Sequence, residues 1–140
     1  MPHAATERFH ALAGDIQQTE AELSRVSDLM AAVVQYAKTR PAFDGYKAAK
    51  YSRKYLAEHE AELADYRAAK ATMAELLGGE KLPKMDVLKE KRRQLAARKK
   101  ALYLEYRKAQ QDMRELVAVK GSVDHLRGLT DNQRNKEQAR

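Results

Sequence analysis

The sequence predicts an all-α fold, an elongated antiparallel three-helix bundle or coiled coil with one helix break near residues 50–52. Three observations carry that expectation. Apolar residues recur at alternating spacings of three and four over most of the 140 residues. Alanine, leucine, glutamate, lysine, arginine and glutamine dominate, whereas two phenylalanines, six glycines and no tryptophan are poor material for a sheet or a compact α/β core. Finally, Pro41, the Gly78-Gly79 pair and Pro83 divide the chain into three stretches of helical length.

The first helix is expected over about residues 3–38. Phe9, Leu12, Ile16, Thr19, Leu23, Val26, Met30, Val33 and Ala37 form an unbroken seam, the pattern of a helix packed along its length. Pro41 should end it, since the residue before a proline is pushed out of helical geometry. Pro41 is also a good first helical residue, so the second helix is expected over 42–77. Ser52 is a candidate cap for a fresh start within it. Leu56, His59, Leu63, Tyr66, Lys70, Met73 and Leu77 keep the spacing, and Gly78-Gly79 is a strong stop.

The third helix is expected over 84–127. Met85, Leu88, Leu95, Leu102, Tyr106, Ala109, Met113, Leu116 and Val123 hold the heptad. Arg92, Lys99 and Lys120 share that stripe, with aliphatic stems able to cover it. Such a helix would be roughly 60 Å long at about 1.5 Å per residue, so it must lie along its neighbours. Short connections make those neighbours antiparallel. Gly121 weakens the helix, and Gly128 is expected to end it. One bundle over 1–128 and a disordered polar tail over 129–140 follow.

Charge is unevenly placed. In residues 1–77 ten bases face eleven acids, so the net +7 lies beyond Gly78. It concentrates where Lys89, Lys91, Arg92, Arg93, Arg98, Lys99 and Lys100 meet a single acid, Glu90. That asymmetry points to an anionic partner, while a solvated helix face explains it equally well. Tyrosines interleaved with bases add to it: Lys50, Tyr51, Arg53, Lys54 and Tyr55 in one cluster, and Tyr106 beside Arg107 and Lys108. Aromatic rings among cations can stack bases and hold the phosphates of single-stranded nucleic acid. Tyr66 and Tyr106 lie on the seam and read as core; Tyr51 and Tyr55 read as the better exposed pair.

Catalytic chemistry is not evident. His3, His10, His59 and His125 are scattered, without HxH, HExxH or CxxC spacing, so neither a metal nor a cofactor is expected. His59 reads as a half-buried seam histidine with Glu58 or Glu62 nearby. The carboxylates Glu58, Glu60, Glu62 and Asp65 sit on a helix surface with nothing to raise their pKa. Gly78-Gly79 follows a helix and lacks the lysine and strand of a phosphate loop. Ser24, Ser52 and Ser122 have no histidine at a recognisable spacing. No membrane-length apolar run or signal-peptide layout is present, and cysteine is absent, so a cytoplasmic protein without membrane contact is expected.

Several segments, taken in order, carry a resemblance. They are Tyr46-Lys-Ala-Ala-Lys-Tyr-Ser-Arg-Lys-Tyr-Leu-Ala-Glu-His59, Ala68-Ala-Lys70, Lys81-Leu-Pro83, Lys99-Lys-Ala-Leu-Tyr-Leu-Glu-Tyr-Arg107, Asp112-Met-Arg-Glu-Leu-Val117 and Val123-Asp-His-Leu126. Together they resemble the C-terminal helical region of relaxase/mobilisation nucleases carried by plasmids and integrative elements. The resemblance implies a role in conjugative DNA mobilisation, beside a nuclease domain that nicks origin-of-transfer DNA through a tyrosine and a metal-holding histidine cluster. Nothing in this chain matches that cluster or nucleophile, so no catalytic residue is carried over. The implied module is non-catalytic. It would contact origin DNA through its basic third helix, or dock a transfer coupling protein, an accessory mobilisation protein or a second copy of itself as a homodimer.

Overall fold

A computed structural model describes the backbone of residues 2–138 and the side chains of residues 4–128. The chain is all-helical, with no strand among the described residues. Among the described residues four helices follow in order: α1 (Pro2–Ala48), α2 (Arg53–Glu58), α3 (Glu60–Leu77) and α4 (Met85–Gln138). No helix among the described residues is long and apolar enough to cross a membrane.

Contacts group the chain into two compact units. One comprises Thr19–Ala97; the other brings the residues up to Gln18 together with those from Arg98 onward. In the Thr19–Ala97 unit the core is Val26, Leu29, Met30, Leu88 and Leu95, with Leu23, Val33, Met73, Leu76, Leu77, Leu82 and Met85 packed against it. These residues come from α1, α3, the start of α4 and the connection between them. Val26, Met30, Leu88 and Leu95 are expected seam positions, and Leu29, which lies off the expected seam, joins them in the core. A second cluster in this unit is aromatic. The Tyr66 ring stacks on Phe43 at 4.4 Å and on Tyr36 at 5.1 Å. In the other unit, Phe9 stacks on Tyr106 at 4.9 Å and the Thr6 hydroxyl lies 3.7 Å from the Met113 sulfur. That pairing of 6 with 113 and 9 with 106 makes α1 and α4 antiparallel there.

Pro41 does not end the first helix. α1 continues through it to Ala48, and the expected helix start at 42 is the last two turns of α1. A mid-helix proline removes one backbone donor and crowds the carbonyl four residues back. Here the neighbourhood absorbs that cost. Thr39 and Ala42, on either side of the proline, are both buried, and that packing offsets the lost bond.

The break expected near 50–52 is present, and its residues explain it. The Tyr51 amide donates to the Tyr46 carbonyl, and the Lys50 amide to the Lys47 carbonyl, the pair of bonds that closes a Schellman cap. Such a cap needs a left-handed residue, ordinarily glycine. Here Lys50 and Tyr51 occupy it, with φ of 55° and 57°. Ser52 then caps α2, its Oγ accepting from the Tyr55 amide at 3.4 Å. A further discontinuity, unexpected from the sequence, falls at His59 (φ −121°, ψ 26°) between α2 and α3. Gly78 ends α3 at φ 54°, as its position predicts.

At the other end, neither Gly121 nor Gly128 stops α4, which runs to Gln138 where a disordered tail was expected. No proline follows Pro83, and a lone helical glycine costs only about 1 kcal/mol. Ala139 and Arg140 lie outside the described residues. Several expected seam positions are not covered. Ala37, Lys70, Arg92 and Lys120 are exposed, as are Leu116 (37 %) and Val123 (41 %).

Candidate nucleic-acid interface

The candidate residues fall at three places, each built by a different local cause. The first is the helix break of the Thr19–Ala97 unit. Two consecutive non-glycine residues in left-handed conformation are costly, about 1–3 kcal/mol each, and persist only where surroundings hold them. The surroundings are a row of rings. Tyr46 meets Tyr51 edge-on at 5.2 Å and stacks with Tyr55 at 6.0 Å, and Tyr55 stacks on His59 at 4.1 Å. The Tyr55 hydroxyl donates to the Ala42 carbonyl at 2.7 Å, tying α2 back onto the end of α1.

Gly45 makes that approach feasible. A Cβ there would collide with the Tyr55 hydroxyl and ring, so only glycine leaves room. Tyr55 is therefore half-buried and structurally engaged, which corrects its reading as an exposed base-stacking ring. Tyr51 is 59 % exposed, and Lys50, Arg53 and Lys54 are exposed around it. Lys47 adds a fifth polar group, its Nζ 5.3 Å from the centroid of Phe43. The sequence reading missed Gly45 and Ala42. An isolated glycine between Phe43 and Tyr46 in a helical stretch was the available signal.

The second place is the first turns of α4, in the same unit. Leu88 and Leu95, one heptad apart, are buried; Lys89, Lys91, Arg92 and Arg93 are exposed. Glu90 takes up part of the charge. The Arg93 Nη2 lies 2.6 Å from Glu90 Oε1 and its Nε 3.0 Å from Oε2, while Gln94 donates to the same carboxylate. The Arg93 hydrogen bonds hold the Glu90 carboxyl below its ordinary pKa, and the carboxylate in turn holds the Arg93 guanidinium above its own. Among the described residues no acid is drawn onto Lys89, Lys91 or Arg92 in this way.

The third place belongs to the other unit. Arg98, Lys100, Arg107 and Lys108 are exposed, whereas Lys99 is half-buried. Tyr106 is half-buried on Phe9 and has Tyr103 edge-on at 6.5 Å, so the ring beside Arg107 serves packing. His59, read as a half-buried seam residue, is half-buried with Nδ1 3.9 Å from Glu62. Among the described residues no group of three or more His, Asp or Glu side chains is placed to hold a metal ion.

The arrangement offers exposed point charges and one exposed ring, on helices whose opposite faces are locked by packing. Exposed cations with few acids among them raise the positive potential at each of these places. No family model, curated protein or solved structure matches the chain.

Proposed function

We propose that the chain is a non-catalytic helical module of a DNA mobilisation (relaxase-type) protein, contacting DNA through the exposed cations of α4. One observation carries the reading: between Lys89 and Lys100 six of seven basic side chains are exposed while a single acid, Glu90, opposes them. The turn at Lys50–Ser52 contributes Tyr51 with Lys50, Arg53 and Lys54 as a further contact. The assignment to mobilisation rests on the resemblance in sequence; the contact with DNA rests on charge and exposure. An antiparallel heptad-packed bundle is part of the same proposal, supported by the seams found in each unit.

Fluorescence anisotropy with single-stranded and duplex oligonucleotides across a salt series tests it. Binding should weaken linearly in log–log form as counterions are released. Arg92→Gln and Lys100→Gln should each lower the salt slope by about 1. Glu90→Gln, which releases Arg93, should strengthen binding. An affinity indifferent to salt, or to all of these substitutions, sinks the reading. A second reading, docking of the relaxase to its coupling protein or to an accessory mobilisation protein, draws on the exposed apolar residues of α4.

A further inference from the structure

Beyond Met113, α4 keeps its three-four spacing and its seam positions become exposed. Leu116 is 37 % exposed, Val123 41 %, Val119 61 % and Val117 67 %. Leu116 and Val123 continue, at the same three-four spacing, the row with which Tyr106 and Met113 meet Phe9 and Thr6 of α1. Lys120 and Arg127 fall on that row too, Val119 widens it on one side, and Val117 lies off it. This stretch is also a weak helix former in isolation. It holds three β-branched valines and Gly121 and Gly128, and helices of such composition depend on packing rather than propensity. A heptad-spaced face that alternates apolar residues with cations, on a helix weak in isolation, is stabilised by a helical partner with the same spacing.

We infer that the partner is a second copy of this chain, bound antiparallel through residues 113–127 of α4. Charge chooses both the occupant and the direction. Lys120 and Arg127 lie within the stripe, and Asp124 lies at its edge. In a parallel, in-register pair Lys120 would face Lys120 and Arg127 would face Arg127, a like-charge arrangement that opposes association. In an antiparallel pair with its dyad between positions 121 and 122, Lys120 lies across from Val123 and beside Asp124 of the second copy. Symmetry repeats that contact, giving two ion pairs from one self-complementary patch. Arg127 then lies over Leu116 of the second copy, with its stem on the apolar surface and its head in water. This pairing does not depend on DNA binding.

Sedimentation of the intact chain over a wide concentration range is the test. It should show a reversible monomer–dimer equilibrium, and Leu116→Asn with Val123→Asn should shift the midpoint at least tenfold. Helicity and unfolding of the Thr19–Ala97 core are the controls for folding. Lys120→Asp and Asp124→Lys should each weaken self-association, whereas an equimolar mixture of the two variants should recover it as a heterodimer. An intrahelical Lys120–Asp124 effect cannot produce that recovery. Spin labels on Lys108→Cys should be about 40 Å apart along the axis in the antiparallel pair; close labels would overturn the direction. A chain monomeric at all concentrations, or a dimer indifferent to the double asparagine variant, overturns the proposal. So does an unrelated protein that binds the stripe while the chain itself remains monomeric.

Discussion

The Thr19–Ala97 core and the far part of α4 are written in the same pattern and end in opposite states. In the first, Val26, Met30, Leu63, Leu88 and Leu95 occupy heptad positions and are buried. In the second, Leu116 and Val123 hold equivalent positions and are exposed. The difference teaches that a heptad declares a face and leaves its partner unspecified. Burial requires another helix in reach at that level of the axis, and periodicity along one helix carries no information about that.

The sharpest way to break this comparison is to truncate one residue from each region. Leu63 is 2 % exposed and Val117 67 %. Leu63→Ala should cost about 2–5 kcal/mol, the transfer term plus an unfilled cavity. Val117→Ala, measured at concentrations dilute enough for single chains, should stay within about 0.5 kcal/mol. Urea unfolding of both variants reads the contrast directly. Equal losses would show that the far part of α4 is packed in the single chain.

The next effect concerns the turn that lets the first region close on itself. Gly45→Ala drives a methyl group into Tyr55 and should cost about 1–3 kcal/mol. Tyr55→Phe removes the bond to the Ala42 carbonyl and should cost about 0.5–1.5 kcal/mol. The double variant should lose less than the sum, because removing the hydroxyl relieves part of the collision. Strict additivity in unfolding experiments would separate Gly45 from the Tyr55 contact.

The smallest effect is a pH dependence confined to the packed region. Burial first, then the hydrogen bond and charge of Tyr36, push the Tyr66 phenol above its ordinary value. The folded state therefore keeps this proton after the unfolded chain has begun to release it. Its contribution to stability is intact below about pH 10 and is lost as pH rises from there toward the folded value. Tyr66→Phe should flatten that part of the stability–pH profile, followed by denaturation between neutral and strongly alkaline pH.

Much of this was legible in the residues. The helical class follows from composition and spacing. Gly78 ends α3 because only glycine adopts its φ without strain, and Ser52 caps α2 by ordinary capping chemistry. The Lys50–Tyr51 reversal carried its break without the glycine that marks such caps, so its position was readable and its geometry was not. Pro41 misled because a local rule was overridden by the packing around Ala42 and Thr39. Tyr55 misled for a related reason: adjacency to Lys54 suggested a stacking ring, whereas a carbonyl thirteen residues back claimed its hydroxyl.

For the candidate interface, the sequence by itself determined which cations exist and that they outnumber acids beyond Gly78, because charge and helical order are local properties. Tertiary structure decided which remain available. Leu88 and Leu95 turn their side of α4 inward and leave Lys89, Lys91 and Arg92 outside, Glu90 draws Arg93 into a pair, and Lys99 is half covered. It also decided that the heptad is buried at Leu88 and left exposed at Val123, since burial depends on what lies across from a side chain.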